Sequence, residues 1–388
     1  MSRLEVTLSK SPVAKESAGV FSPERSPLFS RWVDPVSKVE SWLLTKRVAP
    51  LQQSFYFTNR SVSNDGRFLW FFCAFPPGGD AYYGRQLGVV DFLEGTISHF
   101  PETQFTDASP GVDAETGEVY WTTGLEVWKR GPHRDDRAQL VNQFPNDLAN
   151  HRRPLRLATH LTFSADRLAV NIDAQIGNQW FVGDLPIDGG AFRLWQTFDR
   201  CYNHCQFSPT DPDMMLLAQD GWVDPSTGRF GDGEDRLWVI RRGEQARPLC
   251  PDAPASSGRR GHEWWDADGE HVWYIDYQKG TERVNIHTGK RETIWPRGHT
   301  HSHCDRDARY LVGDANLKDH WRVSFFNRMS GKEIDLVTSL PTMSRRRYHV
   351  HPHPQFCLHD RYICYTTNVR GSVDVALVPV EQLVDATR

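Results

Sequence analysis

The sequence lacks the long apolar segments of a membrane or secreted protein. It contains no run of 18 apolar residues, the length that indicates a transmembrane helix. Residues 1–17 carry charges where a signal peptide has its apolar core, so we expect a cytoplasmic protein with no membrane partner. Seven cysteines, an odd number without paired Cys-x-x-Cys spacing, indicate neither a disulfide framework nor a zinc ribbon.

Neither sign of charge dominates, and the common catalytic motifs are missing. With 45 basic and 49 acidic residues the net charge is −4, which gives no general attraction for nucleic acid. There is no P-loop, no Gly-x-Ser-x-Gly and no dinucleotide-binding loop, and HEWWD (262–266) lacks the second histidine of a zincin. These absences argue against nucleotide-binding, α/β-hydrolase and zincin chemistry.

Helical periodicity is also scarce, whereas turn and strand residues are abundant. The chain has 29 Gly, 24 Pro, 14 Trp, 11 Tyr and 21 Phe, a composition that favours short strands joined by turns. A unit consisting of a polar turn followed by apolar strands recurs about every 40 to 50 residues, the length of a four-stranded propeller blade. The seven units begin at 63–75, 113–124, 163–173, 207–219, 266–277, 305–315 and 358–368.

These repeats predict an all-β protein, a seven-bladed β-propeller. We expect one domain over 1–388, with blades from about residue 51 onward and residues 1–50 as a lead-in segment that can close the ring. The third unit is the least regular, so eight blades, or six with a lid, remain alternatives. The only expected helix is short and lies near 380–386.

Histidines recur at one phase of this repeat. In five successive units a histidine lies six residues before the residue that marks the opening turn. We expect these side chains on the innermost strands, where they converge on one pocket in the central channel. The five residues are His160, His204, His262, His301 and His353.

Two His-x-His patterns in adjacent units indicate a metal site. His351 and His353 flank a proline, and residues i and i+2 of an extended chain share a face, so both imidazoles can bind one ion. The stretch from His299 to His303 has the same spacing. Neutral imidazole suits Mn, Fe, Ni, Cu or Zn, and without cysteine the choice stays open. Solvent-exposed histidines on edge strands are the alternative.

Arginines precede several of these histidines and predict a basic mouth for a small carboxylate ligand. They are Arg152, Arg153, Arg156, Arg259, Arg260, Arg297, Arg345, Arg346 and Arg347.

Five segments resemble the bacterial oligogalacturonate lyases. They are GHEWW (261–265), HSHCDRDARYLVGD (301–314), VHPHPQF (350–356), NHCQFSPTDP (203–212) and DRLWVI (235–240). The resemblance covers most of the chain from about residue 50 and is strongest beyond residue 200. It implies an intracellular seven-bladed propeller that cleaves short oligogalacturonates by β-elimination with a divalent metal, commonly Mn²⁺.

The resemblance also implies roles for individual residues. His262 corresponds to the general base, Arg236 to the catalytic arginine, and His301, His351 and His353 to the metal ligands. The predicted substrate-binding residues are His204, His160, Arg260 and Tyr348. The family has a glutamine where this chain has Tyr348. That difference leaves open a site of three histidines plus water, weaker metal binding, or another substrate.

The function predicted from the sequence is therefore a lyase acting on an acidic oligosaccharide. Two alternatives remain: a lyase or hydrolase for a different uronate-containing oligosaccharide, and a non-catalytic propeller that serves as an interaction scaffold.

Overall fold

The computed structural model describes residues 21–76, 83–106, 110–224, 226–342 and 351–388. Within these ranges seven antiparallel sheets form the blades of a β-propeller, which confirms the predicted fold class. The first described strands, β1 (Phe29–Val33) and β2 (Glu40–Leu44), belong to the last sheet. The first complete sheet contains β3 (Leu51–Gln53), β4 (Phe68–Ala74), β5 (Tyr83–Asp91) and β6 (Thr96–Thr106).

The second and third sheets follow directly in the chain. The second contains β7 (Gly111–Val112), β8 (Val119–Thr123), β9 (Glu126–Arg130) and β10 (Gln139–Gln143). After the short helix α1 (Asn146–Ala149) comes the third sheet, with β11 (Ala169–Ile176), β12 (Gln179–Pro186) and β13 (Arg193–Phe198).

The fourth sheet carries an inserted hairpin. It contains β14 (Tyr202–Phe207) and β15 (Met214–Gln219), and after the separate hairpin of β16 (Trp222–Val223) and β17 (Phe230–Gly231) it continues with β18 (Leu237–Arg241) and β19 (Arg247–Pro248). The fifth sheet contains β20 (Arg260–Trp265), β21 (His271–Asp276), β22 (Gly280–Asn285) and β23 (Arg291–Trp295).

The sixth and seventh sheets complete the ring. The sixth contains β24 (His301–Cys304), β25 (Tyr310–Leu317), β26 (His320–Asn327) and β27 (Lys332–Pro341). The seventh contains β28 (Gln355–Cys357), β29 (Tyr362–Thr367) and β30 (Asp374–Pro379), followed by helix α2 (Val380–Ala386). The helix lies where the sequence predicted one.

Both ends of the chain contribute to the seventh sheet. Its strand order is β28-β29-β30-β2-β1, so a strand from the lead-in segment pairs antiparallel with the last strand of the chain. Pairing the two ends in this way covers edges that would otherwise be exposed. The single-domain boundary at 1–388 stays a prediction.

Apolar side chains from neighbouring blades pack between the sheets. Val312 and Phe325 of the sixth sheet, for example, share one cluster with Ile363 and Val378 of the seventh and Leu383 of α2. All seven cysteines are buried and free. No helix within the described ranges is long and apolar enough to cross a membrane.

Two of the five phased histidines are not on strands, contrary to the prediction. His160 lies on a bend beside β11, and the side chain of Asn171 replaces part of the ladder there by bonding the backbone of Thr162 and His160. His353 lies two residues before β28, between Pro352 and Pro354. Proline has no N–H to donate, which prevents regular pairing at these positions.

Candidate active site

β-Bulges set the direction of two histidines on inner strands. The pairing of β14 with β15 slips between Asn203 and Gln206, and that of β20 with β21 slips between Gly261 and Trp264. Within the extra residues, His204 and His262 adopt positive φ values of 52° and 55°. A bulge of this kind re-aims a side chain, and strained left-handed residues of this type cluster at functional sites.

Three histidines have ring nitrogens close enough to share one cation. Ligand atoms of His301, His351 and His353 all lie within 4.8 Å of one another. The ring centroid of His301 is 4.4 Å from that of His353 and 5.2 Å from that of His351. Three imidazoles form a donor set that suits a divalent transition metal.

Asp314 orients this cluster. Its carboxylate oxygens each lie 3.0 Å from Nδ1 of His301, and they accept the backbone N–H groups of His301 at 2.9 Å and His353 at 3.1 Å. An Nδ1–H bonded to a carboxylate fixes the tautomer that leaves Nε2 as the metal-binding atom. Burial raises the pKa of Asp314 to about 7, opposed by nearby His351 and by the bonds from His301 and His353. These residues fit a divalent metal ion.

We expect the substitution Asp314→Asn to weaken metal binding by roughly ten- to a hundredfold, the usual effect of losing such an orienting carboxylate. The amide keeps the size of the side chain but cannot hold His301 as a carboxylate does. Titration of Mn²⁺ into the variant, followed by calorimetry, measures the change. An unchanged affinity would show that Asp314 has only a structural role.

The five phased histidines form a continuous group around Tyr56. The Tyr56 ring stacks on His160 at 4.5 Å and contacts His353 edge-on at 4.8 Å. Nε2 of His160 lies 3.0 Å from Nδ1 of His204, and the rings of His262 and His301 are 4.1 Å apart. The structure therefore brings all five histidines together, and the ring of Tyr56 fills the space between them.

A cleft of about 380 Å³ opens beside this group. Its volume lies within the usual range of small-molecule sites, roughly 300 to 1,000 Å³. Among its lining residues are His204, Arg236, Arg260, His262, Tyr277 and Phe230.

Arg236 is fixed in the wall of the cleft by two carboxylates. Its Nε and Nη2 each donate to Glu263 at 3.0 Å, and its Nη1 lies 3.1 Å from Asp220. Although burial opposes the charge, Glu263 and Asp220 together raise the pKa of Arg236, so the guanidinium stays charged. The bidentate geometry gives the group one orientation.

His262 is hydrogen-bonded to a residue that the sequence analysis missed. The Tyr277 hydroxyl lies 3.0 Å from Nδ1 of His262. This approach requires Gly261, because a Cβ there would lie 2.6 Å from the same hydroxyl. Burial lowers the pKa of His262 well below its usual value, with His301 and Arg236 adding to the effect. The imidazole is therefore neutral near pH 7, and one of its two ring nitrogens carries no proton.

We expect Tyr277→Phe to lower kcat roughly three- to tenfold, the scale of one lost hydrogen bond. Burial raises the pKa of Tyr277 to about 12, so its hydroxyl stays neutral and acts through the orientation of His262. Steady-state kinetics with the metal-loaded protein measures the effect, which should fall on kcat with little change in KM. A change confined to KM would place Tyr277 in substrate binding instead.

Among its described arginines, the predicted basic mouth has one that lines the cleft. Of the arginines proposed to form it, Arg260 lines the cleft, and its Nη1 donates to the carbonyl of Ala253 at 2.9 Å. Arg259 instead pairs with Asp276 and Arg297 pairs with Glu333, so acidic neighbours take up much of the expected positive charge. Tyr348 and Arg345–Arg347 lie outside the described residues.

Comparisons with known proteins agree with this fold. No family model matches the chain. A curated oligogalacturonate lyase of Dickeya dadantii (strain 3937) is 27% identical over 200 residues, which are 46% of this chain and 49% of the relative. The chain is similar to oligogalacturonate lyases. It spans about half the length of this curated relative, and the resemblance seen in the sequence is confirmed.

Two solved structures share the fold over nearly the whole chain. An oligogalacturonate lyase in complex with manganese superimposes with a TM-score of 0.70 at 17% identity, covering 90% of this chain and 96% of its own. An oligogalacturonate lyase from Vibrio parahaemolyticus gives a TM-score of 0.70 at 16% identity, with 91% and 96% covered. At these identities the likeness establishes the fold.

Proposed function

We propose that this protein is a metal-dependent lyase that cleaves short oligogalacturonates by β-elimination. The observation that carries the proposal is the cluster of His301, His351 and His353, oriented by Asp314, in ring contact with His262 at the edge of an arginine-containing cleft. The similarity to a curated oligogalacturonate lyase and to a manganese-containing one supports the substrate class and Mn²⁺ as the ion.

The reaction requires removal of a proton next to a carboxylate that is already negative. The C5 proton of a uronate is acidic only when charge on the neighbouring carboxylate is stabilised as the proton leaves. A divalent ion bound by the three histidines would supply that stabilisation as a Lewis acid. The protein supplies the base and the orientation of the sugar.

In this proposal His262 takes the C5 proton onto its imidazole. The ring is neutral for the reasons given above, its Nδ1 is held by Tyr277, and it lines the cleft that the sugar would enter. As the glycosidic oxygen on C4 departs with the electron pair and takes up a proton from solvent, a double bond forms between C4 and C5. The product is an unsaturated uronate.

Arg236 acts as an oriented cation in the wall of the cleft. Because Glu263 and Asp220 already bond it, its contribution is a fixed guanidinium rather than a mobile counter-ion. It also helps to keep His262 neutral. His204, Arg260 and Tyr348 are proposed to contact the sugar. His160, which bonds His204, is proposed to hold that contact in place.

A second candidate is a lyase or hydrolase for another uronate-containing oligosaccharide. The observation that favours it is Tyr348, which stands where the resemblance calls for a glutamine. A tyrosine differs from a glutamine in size and in its hydrogen-bonding groups.

The deciding experiment is an assay on a panel of uronate oligosaccharides with added Mn²⁺ and, separately, with chelator. Metal-dependent absorbance of a conjugated unsaturated uronate, seen with oligogalacturonates, supports the proposal. New reducing ends without that absorbance indicate a hydrolase, and no cleavage of any member excludes catalysis on this class. A cytoplasmic location and the absence of a nucleic-acid partner stay predictions.

A further inference from the structure

One hairpin of the fourth blade departs from the four-stranded repeat. Strands β15 and β18 pair directly, and between them the chain leaves the sheet to form β16 and β17. We call residues 221–231 the Phe230 hairpin. It contributes to the wall of the cleft that contains Arg236 and His262.

The described part of the Phe230 hairpin is held at its base and its exit, and its tip is stabilised by a local turn bond. Trp222 packs against the apolar cluster around Phe198 and Tyr202. At the tip, Asp224 accepts the backbone N–H of Ser226 at 2.8 Å. Just beyond the hairpin, Asp232 accepts the Ser257 hydroxyl at 2.8 Å, which links it to the opposite wall. Contacts at its base and its exit therefore set its position.

Phe230 is the apolar side chain that this hairpin presents to the cleft. Its side chain is 69% exposed and lines the cleft. Val223, its partner on the paired strand, is also exposed but does not line the cleft. The ring lies over Gly221, where any Cβ would collide with it. Because glycine has no side chain, an aromatic ring from the paired strand can pack directly over it, and this packing restricts the position of the ring. Phe230 is thus an exposed aromatic with a restricted position.

We propose that Phe230 forms a saccharide subsite, on which the apolar face of one pyranose ring stacks. This inference rests on the proposed function and extends it by one sugar unit. A pyranose presents polarised C–H groups on its face and hydroxyls at its edge. The negative face of an aromatic ring attracts these C–H groups. Asp232 and Ser257, which also line the cleft, are positioned to hydrogen-bond the hydroxyls.

The chemistry of the cleft selects this occupant over an apolar peptide or lipid. Apart from Phe230, its walls are rich in charged and hydrogen-bonding groups, with Arg236, Arg260, Asp220 and Asp232 among them. A purely apolar ligand would displace water from the sides of these groups that face the cleft and offer no hydrogen bond in return, at a cost in free energy. A sugar acid satisfies the polar wall and covers the aromatic ring at the same time.

The test is calorimetric titration of trigalacturonate into the metal-loaded protein, in a His262→Ala background that keeps the substrate intact. Phe230→Ala is expected to weaken binding about five- to twentyfold, the scale of a lost aromatic contact, and Phe230→Trp to retain it. The matched control is Val223→Ala, which removes an exposed side chain from the same hairpin and should change nothing. Gly221→Ala, which displaces the ring without removing it, should weaken binding as well.

The outcomes separate this inference from the proposed function. Equal affinity in the Phe230→Ala and background proteins overturns the subsite, and so does a complete absence of binding. If trigalacturonate binds through Phe230 but the wild-type protein yields no unsaturated product, the subsite stands and the proposed lyase activity fails.

Discussion

Replacing His262 by alanine is expected to lower kcat on oligogalacturonates by about a hundredfold or more, the usual contribution of a general base. The imidazole contacts His301, is held by Tyr277, and is kept neutral by burial and by the charge of Arg236. Alanine removes the proton acceptor but none of the three predicted metal ligands. Metal content, measured by atomic absorption, should therefore stay at the wild-type level.

His160→Ala and His204→Ala serve as matched comparisons, because both residues belong to the same group of histidines. They are proposed to bind or support the sugar, so their loss should raise KM more than it lowers kcat. If His262→Ala kept a kcat close to that of the wild type while one of the other two abolished activity, the base would belong to another blade and the assignment would be wrong.

The fold could be predicted because its signals are local and repeated. Strand alternation and turn residues recur in each blade, so even the irregular third unit was found in phase with the others. The backbone hydrogen-bond ladder is incomplete in that blade because the side chain of Asn171 bonds the backbone of Thr162 and His160. Residue types alone do not reveal that a side chain takes the place of a backbone partner. The same holds for the bulges at His204 and His262, since bulge formation depends on the partner strand.

Asp314 could have been found from the sequence, because its position also recurs. An acidic residue lies in or directly after the second strand of four successive units, at Asp173, Asp220, Asp276 and Asp314. In the structure Asp173 accepts the backbone N–H of Thr159, Asp220 and Asp276 lie near arginines, and Asp314 holds His301. The histidine phase, the His-x-His pattern and the family resemblance identified the predicted metal ligands, but not the group that orients them.

Tyr56 and Phe230 were missed for a different reason. Tyr56 lies in the segment between β3 and β4, and Phe230 lies in the inserted hairpin, so neither occupies the repeated histidine position. Their contacts arise from how distant parts of the chain close around the channel. Sequence periodicity identifies the features that the blades share. The features that distinguish one blade from another are seen only in the three-dimensional structure.

The substitution His351→Ala is expected to abolish stoichiometric binding of Mn²⁺ and, with it, nearly all lyase activity. His351 is one of only three imidazoles in the cluster, its ring lies 4.6 Å from that of Trp321, and alanine leaves two nitrogen donors. An ion that binds only the folded state raises stability by about 2.7 kcal/mol at a hundred times its dissociation constant. Mn²⁺ should accordingly raise the Tm of the wild-type protein and leave that of the variant unchanged.

His287→Ala is the matched control, since His287 is an exposed histidine in the turn between β22 and β23, outside the cluster. It should keep both the Mn²⁺ stoichiometry and the Mn²⁺-dependent rise in Tm. The thermal readout does not depend on the identity of the substrate, so it tests the metal site even if the sugar is a different uronate. Suppose that His351→Ala binds Mn²⁺ at full stoichiometry and shows the same Mn²⁺-dependent rise in Tm as the wild type. The ion would then lie elsewhere, and the three histidines would serve another purpose.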